Sequence, residues 1–87
     1  GWAGAARDLQ ERMTALTPAL EDGDRGALAA GFVLSAAVLR ALQSDPLLPP
    51  PLLPAGWPGP ALRDDYDRYD AAYRRVLRAW FREARRP

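Results

Sequence analysis

Between Asp45 and Pro60 the chain places seven prolines, four leucines and a tryptophan, Asp-Pro-Leu-Leu-Pro-Pro-Pro-Leu-Leu-Pro-Ala-Gly-Trp-Pro-Gly-Pro. Proline fixes φ and removes a backbone donor, so the stretch cannot be helical throughout and cannot be an inner strand. Its interleaved Leu and Trp are costly to leave in water, which predicts contact with an apolar surface. The expectation is a rigid, ordered connection over 45–60 that holds two helices at a defined distance. A buried Trp57 in such a connection would cost about 3–5 kcal/mol on truncation to alanine.

The flanks of this connection carry helical patterning. Trp2, Ala6, Leu9, Met13, Leu16 and Leu20 recur at spacings of three and four, predicting an amphipathic helix over 2–20. Thr17-Pro18 either kinks it or ends it near Leu16. Glu21-Asp22-Gly23-Asp24 reads as a turn, with Gly23 suited to positive φ and Asp24 to capping a helix over 25–43. From Gly26 to Leu39 that second helix has no charge, and Leu28, Phe32, Val33, Leu34, Val38 and Leu39 point several ways, which predicts a central position. Those fourteen uncharged residues are fewer than the roughly 20 that a bilayer requires, so no membrane span is expected.

A third helix is expected over 60–85, with Gly59 as its cap and Pro60 at its first position. Leu62, Tyr66, Tyr69, Tyr73, Val76, Trp80 and Ala84 form its stripe, widened by Leu77 and Phe81. Asp64 and Asp65 near its start and Arg82, Arg85 and Arg86 near its end match the helix dipole. Asp64 with Arg68 and Asp70 with Arg74 are expected i, i+4 pairs. There is no strand-like alternation and no internal repeat. The predicted fold class is all-α, a single small three-helix domain over 1–87.

Composition narrows the chemistry. The 87 residues include no Cys and no His, so disulfides, thiolate metal sites and the usual imidazole chemistry have no side chain to use. Lys, Ile and Asn are absent too, while Ala, Arg, Pro and Gly abound, the bias expected of a GC-rich bacterial genome. A net charge of +1 gives no domain-wide field for nucleic acid or anionic membrane. The chain starts at Gly1 and shows no export signal, which suits a piece of a longer cytoplasmic protein.

The run Asp64-Asp65-Tyr66-Asp67-Arg68-Tyr69-Asp70 is the densest polar cluster. Neighbouring positions on a helix diverge by about 100°, so only Asp64 with Asp67 and Asp67 with Asp70 share a face. No other acidic segment completes a cation's shell, and Arg68 stands where a prenyl-chain enzyme would need its third acid; a solvated face is the better reading. Thr14, Thr17, Ser35 and Ser44 have no His or Lys to activate them, the tyrosines fall on the core stripe, and no phosphate-cradling glycine loop is present. No enzymatic activity and no cofactor are expected. Arg74, Arg78, Arg82 and Arg85 form a basic stripe that either binds phosphate or simply solubilises a helix end. Arg40, a lone charge near the end of the apolar helix, is expected to reach a helix terminus, an acid such as Asp45, or a partner.

The run from Asp45-Pro46 through Leu48-Pro49 and Leu52-Leu53-Pro54 to Trp57-Pro58-Gly59 resembles the C-terminal domain of PaaX-type transcriptional repressors, whose pattern there is DP-x-LP-x-x-LLP-x-DWPG. Arg40 falls where the family has an arginine after an aromatic residue, and Trp2 with Leu9 is similar to the aromatic start of the preceding helix. Gly56 stands in place of the usual Asp, Val38 and Leu39 in place of an aromatic and a polar residue, and a frequent upstream histidine is missing. Those departures bear on an effector contact and leave the packing elements intact.

The resemblance implies a bacterial regulator of aromatic catabolism that reads DNA only through an N-terminal winged-helix domain absent from this chain. It implies release from DNA by an aryl-CoA thioester such as phenylacetyl-CoA. This helical tail would then dimerise the repressor or contribute to the effector pocket, with Arg40, Arg74, Arg78 and Arg82 as candidate contacts. Two other readings stand beside it. One is a free-standing helical interaction module; the other is an Arg-rich nucleic-acid binder, which would show steep salt dependence.

Overall fold

The computed structural model describes residues 1–44 and 49–85. Their elements are α1 (Trp2–Glu21), a 3-10 turn (Arg25–Ala27), α2 (Leu28–Gln43), a second 3-10 turn (Pro50–Leu52) and α3 (Gly59–Ala84). Among the described residues there is no strand, so the fold is the all-α, three-helix domain that the periodicity predicts.

The local signals act where the sequence places them, with small shifts. α1 continues through Thr17 and Pro18 to Glu21, so it does not stop near Leu16. Pro18 sits in the last turn and forgoes only its own backbone bond to the Thr14 carbonyl, and the Thr17 hydroxyl donates to the Met13 carbonyl at 2.6 Å. Gly23 takes a φ of 75°, and the Asp24 carboxylate accepts from the Gly26 amide at 2.8 Å, capping the next element. α3 starts one residue earlier than expected: Pro58 is its cap, Gly59 its first residue, and the Leu62 amide closes the first turn onto the Pro58 carbonyl at 2.8 Å.

Contacts between helices set their directions. Arg7 donates to the Gly56 carbonyl and Gln10 to the Asp65 carboxylate, so α1 and α3 begin side by side and run the same way. Arg25 pairs with Glu83 and Tyr69 donates to the Gly31 carbonyl, so α2 returns antiparallel to α3. At about 1.5 Å per residue, the 26-residue α3 outruns the 20-residue α1 by roughly two turns. The molecule is correspondingly a rod, 55 × 20 × 17 Å.

The core corrects one expectation. Ala6, Leu9, Met13 and Leu20 of α1 meet Leu62, Tyr69, Ala72 and Val76 of α3, while α2 buries Gly31, Leu34 and Val38. The most apolar helix is thus not the central one: Phe32 is 68% exposed, Val33 59% and Leu39 45%. Counted with its 3-10 start, Arg25–Gln43 is long and apolar enough by length and composition to cross a membrane, more than its fourteen uncharged residues alone suggest. Here its inner edge is committed to α1 and α3. Trp80, Phe81 and Ala84 are also exposed, because they sit on the overhang of α3 past the end of α1.

Candidate functional site

The proline-rich connection works as a clasp at the end of the rod where α1 and α3 begin and α2 finishes. Its described portion starts at Pro49, whose carbonyl accepts from the Leu52 amide at 2.8 Å to close a 3-10 turn. A second turn spans Pro54 to Trp57, closed by the Trp57 amide on the Pro54 carbonyl at 3.1 Å. Gly56 at its third position has φ 74°, the conformation that a type II turn demands and that a side chain resists.

That turn aims the Trp57 indole at α1. Trp57 stacks on Trp2 with centroids 5.2 Å apart and planes 15° from parallel, and the Trp2 ring nitrogen donates to the Ala41 carbonyl of α2 at 2.8 Å. Arg7 adds a bond to the Gly56 carbonyl at 3.3 Å, and Pro58 and Gly59 are buried as α3 sets off. One aromatic pair therefore ties together the clasp, the start of α1 and the last turn of α2. The ring is half-buried rather than enclosed, a correction to the buried Trp57 that the sequence suggests: one face is covered by Trp2. Leu53 is half-buried, whereas Pro49, Leu52 and Pro54 are exposed, so the leucines do not share one inward face. Asp45, Pro46 and Leu48 lie outside the described residues, and with them the contact expected between Arg40 and Asp45.

The candidate charged residues are not gathered into one site. Arg40 is exposed on α2 next to Ala41, at the clasp end. Arg78, Arg82 and Arg85 surround Phe81 at the far end, near the Arg25–Glu83 pair. Arg74 lies between, its Nε 2.7 Å from Asp70. Of the two expected i, i+4 pairs this one forms; Arg68 instead bonds Asp65, three residues back, whose other oxygen accepts from Gln10 at 2.8 Å. Among the described residues no group of acids is placed to hold a metal ion.

A feature without an obvious sequence signal lies between α2 and α3. Gly31 lets the helices approach so closely that a Cβ there would sit 2.7 Å from the Tyr73 ring. The Tyr69 hydroxyl donates to the Gly31 carbonyl at 2.7 Å, so the Ser35 hydroxyl, 3.1 Å away, donates to Tyr69. Burial pushes the Tyr69 phenol up, against a smaller lowering by Ser35; burial and then the Asp70 carboxylate raise Tyr66. Both rings stay neutral donors at ordinary pH rather than becoming nucleophiles. An isolated glycine in an Ala- and Leu-rich helix was the available hint of this approach.

Outside that contact the two helices diverge into an apolar groove of about 330 Å³, walled by Phe32, Ser35, Leu39, Tyr66, Tyr73 and Leu77 and edged by Asp70 and Arg74. A second depression of about 430 Å³ lies between α1 and α3, with Thr17, Glu21, Arg68 and Arg75 giving it polar walls. The first can hold an apolar group; the second suits a polar one.

Set against known proteins, the chain is matched over residues 2–83 by the family model described as PaaX-like protein C-terminal domain. No curated protein matches it, and no solved structure does.

Proposed function

The chain belongs to the PaaX-like protein C-terminal domain family, and on that premise we propose that it is the regulatory and oligomerisation domain of a bacterial transcriptional repressor responsive to an aryl-CoA. The observation that carries this reading is the family match across residues 2–83, which spans both the helices and the clasp. In this reading DNA is bound by an N-terminal domain outside the chain, and the helical domain assembles a homodimer and relays effector binding. It works in the cytoplasm, apart from any membrane, with no cofactor and no reaction of its own.

The geometry supports such a relay in physical terms. The Trp2–Trp57 stack and the Trp2–Ala41 bond couple three chain segments at one end of the rod, so a displacement of the clasp is felt by all of them. The apolar groove beside Arg74 offers a phenyl-sized surface next to a cation, the pairing that an aryl thioester with phosphate groups would use.

The experiment is an operator-binding titration of the full-length repressor with phenylacetyl-CoA, with acetyl-CoA as the control. Operator affinity is expected to fall at least about tenfold with the aryl thioester alone, a coupling within the usual range. Equal affinity with and without it would overturn the effector reading. The exposed Phe32, Val33 and Leu39 favour a second reading, a helical interaction module, for which unrelated protein sequence upstream of the chain would be the deciding observation.

A further inference from the structure

We propose that the overhanging end of α3 is a phosphate-binding site, in which Arg78, Arg82 and Arg85 hold the phosphate groups of a nucleotide and the Phe81 ring meets its base. The four side chains line a depression of about 320 Å³. On a helical wheel they fall within about 100° of one another, and Arg78 to Arg85 covers roughly 10 Å of the axis. Arginine presents a planar fork of donors that matches a phosphate edge, and an exposed aromatic ring offers a face on which a base can stack. Phe81 is 47% accessible, with the Trp80 ring 5.1 Å away at 73°.

What these arginines lack is an acid. Among the described residues none of the three forms an ion pair, and Glu83, the acid nearest them in the chain, pairs with Arg25 instead. Arg74, the cation beside the apolar groove, holds Asp70 with its Nε at 2.7 Å, so its charge is largely balanced. Three like charges within two turns repel one another, and the dipole at a helix C-terminus offsets only about half a charge. An anion of charge two or more completes the balance.

Charge also selects the size of the occupant. Before Arg78 the same flank carries Asp67 and Asp70, so a duplex laid along α3 would run from base onto acid within about 12 Å. The net charge of +1 gives no wider field to hold it. A compact polyanion stays within the arginines. Tyr73 and Leu77 of the α2–α3 groove stand two turns and one turn before Phe81 on that flank, so a ligand with an apolar end in the groove and its phosphates on the overhang would span roughly 10 Å. For that apolar end the proposal rests on the effector reading above; the phosphate site rests on the side chains alone.

Calorimetric titration of the 87-residue chain with adenosine 3′,5′-bisphosphate and with inorganic pyrophosphate is the first measurement. Both are expected to bind at low salt with dissociation constants below about 1 mM. Arg78→Gln and Arg82→Gln, both at exposed positions, are each expected to weaken the two probes about tenfold, the loss of one charge-assisted contact. Phe81→Leu is expected to weaken the bisphosphate about fivefold and to leave pyrophosphate, which has no base, unchanged. Arg75→Gln removes the same charge on the flank that faces α1 and is expected to change neither.

Failure of both probes to bind, or equal weakening by Arg75→Gln, would overturn the site. So would a short DNA duplex that binds more tightly than the bisphosphate and is weakened by Arg82→Gln, since the surface would then belong to nucleic acid. In the full-length repressor, operator release by phenylacetyl-CoA that survives Arg78→Gln with Arg82→Gln would overturn the overhang as the effector's phosphate site and leave the effector reading intact. An operator complex indifferent to phenylacetyl-CoA, in a protein that binds both probes as above, would overturn the effector reading and leave the phosphate site standing.

Discussion

The α1–α3 seam and the α2 helix make opposite use of apolar residues. α3 has eleven charged residues in its 26 yet supplies half of the central seam, through Leu62, Tyr69, Ala72 and Val76. α2 has one charge in 16 residues and leaves Phe32, Val33 and Leu39 exposed. Apolar content and burial therefore part company in this domain. What places a helix in the core is a stripe that one neighbour can cover, because a side chain on the far side of a surface helix has nothing to meet.

The largest test of this contrast is Leu62→Ala. Leu62 is fully buried in the seam, and its truncation is expected to cost about 2–5 kcal/mol in urea unfolding. Phe32→Ala on the exposed side of α2 is expected to change the stability of the monomer by about 0.5 kcal/mol or less. Similar costs at the two positions would break the comparison.

Gly31→Val sharpens it, because Gly31 is where α2 does commit to the core. The added atoms collide with the Tyr73 ring, and a loss of about 1–3 kcal/mol is expected. Tyr73→Ala in the same chain should recover part of that loss, a coupling that a double-mutant cycle reads directly.

At the clasp, Trp57→Ala is expected to cost about 1–2 kcal/mol, the worth of one covered face and its stacking, and to quench the coupling seen between the two indoles in near-UV circular dichroism. No change in that spectrum would mean that the clasp is not held by Trp2.

The smallest effect concerns the overhang. The hydrogen bond from Arg25, helped by its charge, lowers the Glu83 pKa below the ordinary glutamate value. A depressed folded-state value means that the contribution is complete above the ordinary glutamate range and is lost as pH falls through the depressed one. Glu83→Gln should accordingly flatten the acid limb of the thermal stability profile slightly, while Asp8→Asn, on the exposed side of α1, serves as the control. Both partners of the bridge are exposed, which keeps the effect small.

Much of this architecture was legible beforehand because it is local. The turn at Gly23, the cap at Asp24, the stop imposed by the proline run and the stripe from Leu62 to Val76 depend on neighbours three or four residues away. The position of α2 is not local in this way: uncharged residues on all sides say that a helix wants cover without saying whether cover exists. The same holds for Trp80, which continues the stripe of α3 but lies past the last turn of α1. At the candidate site, the Trp57-Pro58-Gly59 motif was readable as a family pattern, whereas the partner of its indole, Trp2, stands 55 residues away.

By itself the sequence determined the number of helices, their approximate limits, the clasp before the last of them and the family to which the chain belongs. Dihedral preferences, capping and periodicity act within a turn or two, so they are written in adjacent residues. Only the tertiary structure decided that α1 and α3 run together, that α2 keeps one face open, and that Gly31, Tyr69 and Tyr73 meet. Those choices depend on which distant surfaces fit at van der Waals distance, and that fit exists only once the helices are packed.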